Sequence, residues 1–67
     1  MRYLGAKIEA RRKKLGLSQA ELGQRVGVGQ TAVCRWENGA AQPSLENLVK
    51  LSQILEMPLD DLLNDIA

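Results

Sequence analysis

Four side chains in one short stretch, Gln30, Thr31, Cys34 and Arg35, concentrate the hydrogen-bonding chemistry of this chain. On a helix turning about 100° per residue they share one face, whereas Ala32, Val33 and Trp36 share the opposite one. The Gln30 amide can donate and accept in one plane, and the Arg35 guanidinium can fork onto two acceptors. Thr31 adds a hydroxyl and a methyl group, and Cys34 a small apolar surface. Such a set suits recognition better than catalysis. With no His and a single Cys, the chain cannot form an intramolecular disulfide, a Cys/His zinc site or a histidine-based triad. Asp60 and Asp61 are neighbours, and adjacent helical residues do not converge on a substrate, so they read as charges at a helix start. Cys34 reads as an inert small residue rather than a redox switch. The expectation is a protein that is not an enzyme and that needs no cofactor and no metal.

The elements that position these residues must be small. Sixty-seven residues, 45% hydrophobic but only 3% aromatic and without Phe, suffice for one domain with an aliphatic core, spanning residues 1–67. No apolar run approaches the roughly 18 residues that cross a bilayer, and the N-terminus lacks the pattern of a secretory signal. A cytoplasmic location away from membranes is expected. The net charge is +1, yet the charges are unevenly placed. Residues 1–35 hold eight cations (Arg2, Lys7, Arg11, Arg12, Lys13, Lys14, Arg25, Arg35) against Glu9 and Glu21, or +6. Residues 36–67 hold Lys50 against six acids (Glu37, Glu46, Glu56, Asp60, Asp61, Asp65), or −5. The first half is the one suited to a polyanion. The run Arg11–Lys14 equally well complements the C-terminal dipole of a first helix.

Glycines and prolines at short intervals divide the chain into five helices and no strands, an all-α protein. Leu4, Ile8 and Leu15 stripe the first, which Gly16 closes, and Arg11 interrupts the stripe and must snorkel to water. Ser18-Gln-Ala-Glu21 is a capping box, with Leu17 and Leu22 as its hydrophobic staple, so a second helix starts there and runs to about Val26. The third helix spans about Gln30 to Asn38, with Gly39 behind it. Residues 40–43 form a loop, and Ser44 caps a fourth helix. Its apolar positions Leu45, Leu48, Val49, Leu51, Ile54 and Leu55 predict that it is largely buried, with Glu46 and Lys50 paired on what remains exposed. Beyond Pro58, Leu59, Leu62, Leu63 and Ile66 stripe a fifth helix.

Between residues 18 and 38 two short helices meet through Gly27-Val28-Gly29. Their steep crossing requires a small residue, met by Gly23, and the tight reversal favours positive φ at Gly27. Leu22, Val26, Val28, Val33 and Trp36 must then point inward, fixing the second helix rigidly on the first. These residues carry a resemblance. The segment Leu15-Gly-Leu-Ser-Gln-Ala-Glu-Leu-Gly-Gln-Arg-Val-Gly-Val, followed by Trp36-Glu-Asn-Gly and Pro43-Ser-Leu, is similar to the lambda-type phage repressor and Cro family of helix-turn-helix proteins over nearly the whole chain. Three departures stand out: Gly replaces the family's usual alanine at position 23, Arg11 replaces an apolar residue, and no arginine occurs in residues 39–44 to enter a minor groove.

The resemblance implies a compact five-helix DNA-binding domain whose third helix enters the major groove. Gln30 would then match the edge of adenine and Arg35 that of guanine, with Thr31 on a thymine methyl or a phosphate and Cys34 on a thymine methyl. Gln19 and Asn38 would hold phosphates. Arg12 would pair with Glu37 and point toward the same phosphate backbone. The implied partner is a two-fold double-stranded operator bound by a homodimer, with the two reading helices about 34 Å apart. Apolar side chains in the last two helices, beyond what the first three can cover, would supply the dimer surface. The implied function is transcriptional regulation, chiefly repression. An antitoxin whose acidic half holds a basic toxin, and a protein-interaction module without DNA binding, are the competing readings. A downstream effector domain is compatible with all of them.

Overall fold

In the computed structural model residues 2–63 are described, and they form five helices: α1 (Arg2–Lys14), α2 (Gln19–Val26), α3 (Gln30–Glu37), α4 (Leu45–Ile54) and α5 (Leu59–Leu63). The position expected for Ile66 lies outside the described residues. None of the described helices is long and apolar enough to cross a membrane. Among the described residues the buried core consists of Leu4, Ile8, Leu22, Val26, Val33, Trp36, Leu48, Leu51, Leu55 and Leu62, aliphatic except for one tryptophan.

The apolar stripe of α1 runs differently from its expected course. Leu4 and Ile8 are buried, but the next inward position, four residues on, is Arg12, and Leu15 is 36% exposed. The cause is the left-handed turn at Gly16 (φ +74°), which carries the chain away before Leu15 can reach the core. Leu17 packs there instead, its amide closing the turn onto the Arg12 carbonyl at 3.0 Å. Arg11 does not snorkel to water. Its Nε donates to the Leu55 carbonyl at 2.8 Å and its Nη2 to the Glu56 carbonyl at 3.3 Å, so α1 caps the C-terminal end of α4.

Local signals govern α2. The Ser18 hydroxyl accepts from the Glu21 amide at 3.0 Å, and the Ser18 amide donates to the Glu21 carboxylate at 2.8 Å. That main-chain donor, with the hydroxyl second, holds the Glu21 carboxyl below the usual carboxylate range. At the other end Gly27 adopts φ +94°, and the Gly23 carbonyl accepts from both Gly27 and Val28 at 2.8 Å. A Cβ on Gly23 would sit 2.8 Å from the Val28 carbonyl oxygen. The small residue is therefore demanded by the turn backbone folding over α2, and this explains the departure from alanine.

The burial expected of α4 is only partly realised. Leu48, Leu51 and Leu55 take the core side, while Leu45 is 64% and Val49 37% exposed, because the stripe exceeds what the neighbouring helices cover. Ser44 caps this helix as expected, its hydroxyl accepting from the Asn47 amide at 3.2 Å. At its far end Glu56 takes the left-handed conformation (φ +57°) that helices usually assign to glycine. The bonds Met57 N–H to Ser52 carbonyl (2.9 Å) and Glu56 N–H to Gln53 carbonyl (3.3 Å) enforce it.

One contact escapes sequence reasoning. Gly5, inside α1, lies so close to the end of α3 that a Cβ there would be 2.5 Å from the carbonyl oxygens of both Trp36 and Glu37. Two opposite outcomes follow in urea denaturation. Gly5→Ala should destabilise the fold by about 1–3 kcal/mol despite its better helix propensity. Glu56→Gly should stabilise it by about 0.5–1 kcal/mol by removing left-handed strain.

Candidate nucleic-acid interface

The site begins with the two faces of α3. Val33 is fully buried and Trp36 nearly so, and Ala32 packs against them, which fixes the rotation of the helix. Gln30, Thr31, Cys34 and Arg35 consequently lie exposed together on the other face, as their spacing predicts. Gly29 starts the helix with extended backbone (φ −81°, ψ 167°) and no side-chain cap. At the other end the left-handed Gly39 (φ +82°) lets the Ala40 amide reach the Arg35 carbonyl at 2.9 Å. The Ala40 amide also lies 2.9 Å from Asn38 Oδ1, which leaves the exposed Asn38 amide nitrogen as a donor at the helix end.

Beneath this face a buried carboxylate joins three elements. Glu37 Oε2 accepts from Arg12 Nε at 2.6 Å, and Oε1 accepts from Arg12 Nη2 at 3.1 Å and from Gln19 Nε2 at 3.0 Å. Arg12 Nη1 donates to the Leu17 carbonyl at 2.9 Å. The pair is sequestered, with the Arg12 and Glu37 side chains 9% and 4% exposed. Hydrogen bonding to Glu37 outweighs the cost of burial and moves the Arg12 pKa above its ordinary value. A carboxylate only accepts, so the Gln19 nitrogen must face Glu37, and this fixes the amide's orientation with one N–H left over.

The expected Arg12–Glu37 pair is thus present. Three of the five Arg12 N–H groups are committed to the carboxylate and the Leu17 carbonyl, which leaves one on each terminal nitrogen. The basic run is likewise divided: Arg11 caps α4, Arg12 is interior, and Lys13 pairs with Glu9 at 3.1 Å on the surface. It does not form one phosphate-facing patch.

Removing one partner of a buried ion pair strands the other charge. Glu37→Gln should cost about 3 kcal/mol in urea unfolding, whereas replacing both Arg12 and Glu37 with Met should recover most of that loss. Neither substitution should restore the orientation of Gln19, which side-chain amide NMR of Gln19 would report.

Comparisons with known proteins agree with this geometry. The helix-turn-helix family profile matches residues 8–62. Repressor protein C2 of Salmonella phage P22 is 47% identical over 60 residues, covering 90% of this chain and 28% of that protein. The phage transcriptional repressor RstR of Vibrio cholerae is 35% identical over 51 residues, covering 76% of this chain and 46% of its own. This chain therefore spans less than half the length of these relatives. Among solved structures, the P22 c2 repressor in complex with a synthetic operator superimposes with a TM-score of 0.85 at 46% identity, covering 88% of this chain and 89% of that one. The N-terminal DNA-binding domain of SinR from Bacillus subtilis gives 0.84 at 30% identity, covering 94% and 93%. With the capped α2, the glycine turn and the locked α3 in place, and with the profile matching most of its length, the chain belongs to the helix-turn-helix family.

Proposed function

We propose that this chain is the DNA-binding part of a transcriptional repressor that reads a two-fold operator as a homodimer through the major groove. The observation carrying this reading is the exposed set Gln30, Thr31, Cys34 and Arg35 on a helix whose other face is locked in the core. Gln30 pairs with adenine and Arg35 with guanine, while Thr31 and Cys34 meet thymine methyls. Gln19, oriented by Glu37, and the Asn38 amide hold phosphates on either side and set the register of α3. That P22 c2 repressor, so similar over this length, is seen with a synthetic operator supports the same docking here.

The dimer reading rests on α4. Leu45 and Val49, one turn apart, leave an exposed apolar strip among the described residues, which suits a symmetric contact between two copies.

Operator binding should weaken steeply with salt. Arg35→Ala should lose about 1–3 kcal/mol at a single base pair of the selected duplex, and Gln19→Ala should weaken all duplexes alike. Fluorescence anisotropy on a duplex selected from a random pool measures both. Retained, salt-insensitive binding by the Gln30→Ala, Arg35→Ala double variant would sink the assignment.

A further inference from the structure

The exposed side chains of α3 differ in direction. At about 100° per residue, Thr31 and Cys34 leave the helix within about 30° of the direction opposite the core positions Ala32, Val33 and Trp36, whereas Gln30 and Arg35 leave about 70° to either side. The centre of the face is therefore short, ending in the Thr31 methyl and hydroxyl and the Cys34 Sγ, with the long amide and guanidinium at its edges. No carboxylate shares this face. Glu37, the acid of α3, turns inward onto Arg12 and Gln19.

A short, largely apolar centre between two polar edges lets a helix approach a groove floor closely and meet what projects from it. In the major groove the apolar projection on a base edge is the methyl on C5 of a pyrimidine. Thymine carries it by nature, and methylated cytosine carries it at the same ring position. With no carboxylate on the face, the cytosine N4 amino group lacks the acceptor that usually reads it, and the methyl is left to set one pyrimidine apart from another.

We propose that Thr31 and Cys34 recognise the C5-methyl group itself, so that 5-methylcytosine is accepted in place of thymine and a half-site carrying methylated cytosine is bound more tightly than the same half-site unmethylated. The inference rests on the operator reading above and adds a ligand class to it, the cytosine-methylated duplex. Thr31 suits the exchange: its hydroxyl donates to thymine O4 or accepts from cytosine N4, while its methyl stays against the C5 group. Each methyl taken out of water here is worth about fourfold in affinity.

The test takes a duplex that the 67-residue chain selects from a random pool and compares four pairs at each pyrimidine of one half-site by fluorescence anisotropy. They are thymine or uracil opposite adenine, and cytosine or 5-methylcytosine opposite guanine, so that each comparison changes the C5-methyl alone. At the position under Thr31 and Cys34, uracil for thymine should weaken binding about fourfold and 5-methylcytosine for cytosine should strengthen it about fourfold. The two effects should agree within about twofold. Thr31→Ser, which keeps the hydroxyl, and Cys34→Ser should each shrink both effects while leaving discrimination at the pairs read by Gln30 and Arg35, with circular dichroism reporting an unchanged fold. Full sequence discrimination with no loss to uracil at any position would overturn this inference and leave the operator reading standing. So would a thymine methyl effect without a cytosine one, or methyl effects untouched in both serine variants. A pool that yields no preferred duplex would overturn the operator reading and this inference with it.

Discussion

The Glu37 carboxylate is the junction on which the rest of the reading surface depends. It takes both arms of the Arg12 fork and the Gln19 amide, and Arg12 in turn holds the Leu17 carbonyl, so α1, the connection to α2, α2 itself and the end of α3 meet at two oxygens. A buried ion pair is seldom a net source of stability, because desolvation offsets most of the attraction. Its contribution here is directional. An aliphatic trio could fill the same space, but it would not aim an amide at the surface or fix the rotation of three helices against one another.

Around that polar junction the fold relies on backbone surfaces approaching more closely than side chains allow. The Val28 carbonyl over Gly23 and the carbonyls of Trp36 and Glu37 over Gly5 press main chain against main chain, one at the turn of the α2–turn–α3 unit and one at its far end. The unit is thus clamped between α1 and its own turn, while its outward face remains open. Glu56 in a left-handed conformation is the counterpart at α4, where the hydrogen bonds closing that end hold a side chain that glycine would replace without strain.

Much of this was legible because it is local. The Ser18–Glu21 box, the Gly27 turn and the separation of Gln30, Thr31, Cys34 and Arg35 from Val33 and Trp36 depend on neighbours within a few residues, which periodicity and capping chemistry capture. The Arg12–Glu37 pairing spans 25 positions and came from family resemblance; its depth did not. Hydrophobicity alone misjudged Leu15, Leu45 and Val49, since an apolar side chain can sit on a flank as readily as inward when no neighbour reaches it. Gly5 left one usable sign: a glycine between Leu4 and Ile8 weakens a helix by about 1 kcal/mol, and such a weakness inside a regular stripe marks a close approach.

The shortness of α3 has a consequence that can be put in terms of information. Eight residues at about 1.5 Å each make a rod of about 12 Å, and its four exposed side chains span little more than one turn. Against base steps of about 3.4 Å, such a rod addresses about four base pairs, a word found about once in 256 by chance. A genome presents on the order of a million or more competing words. Two copies reading in tandem raise the rarity to about one in 65,000, and the remainder must come from how readily the intervening duplex deforms. Under the operator reading proposed above, duplication is an arithmetical requirement before it is a matter of affinity.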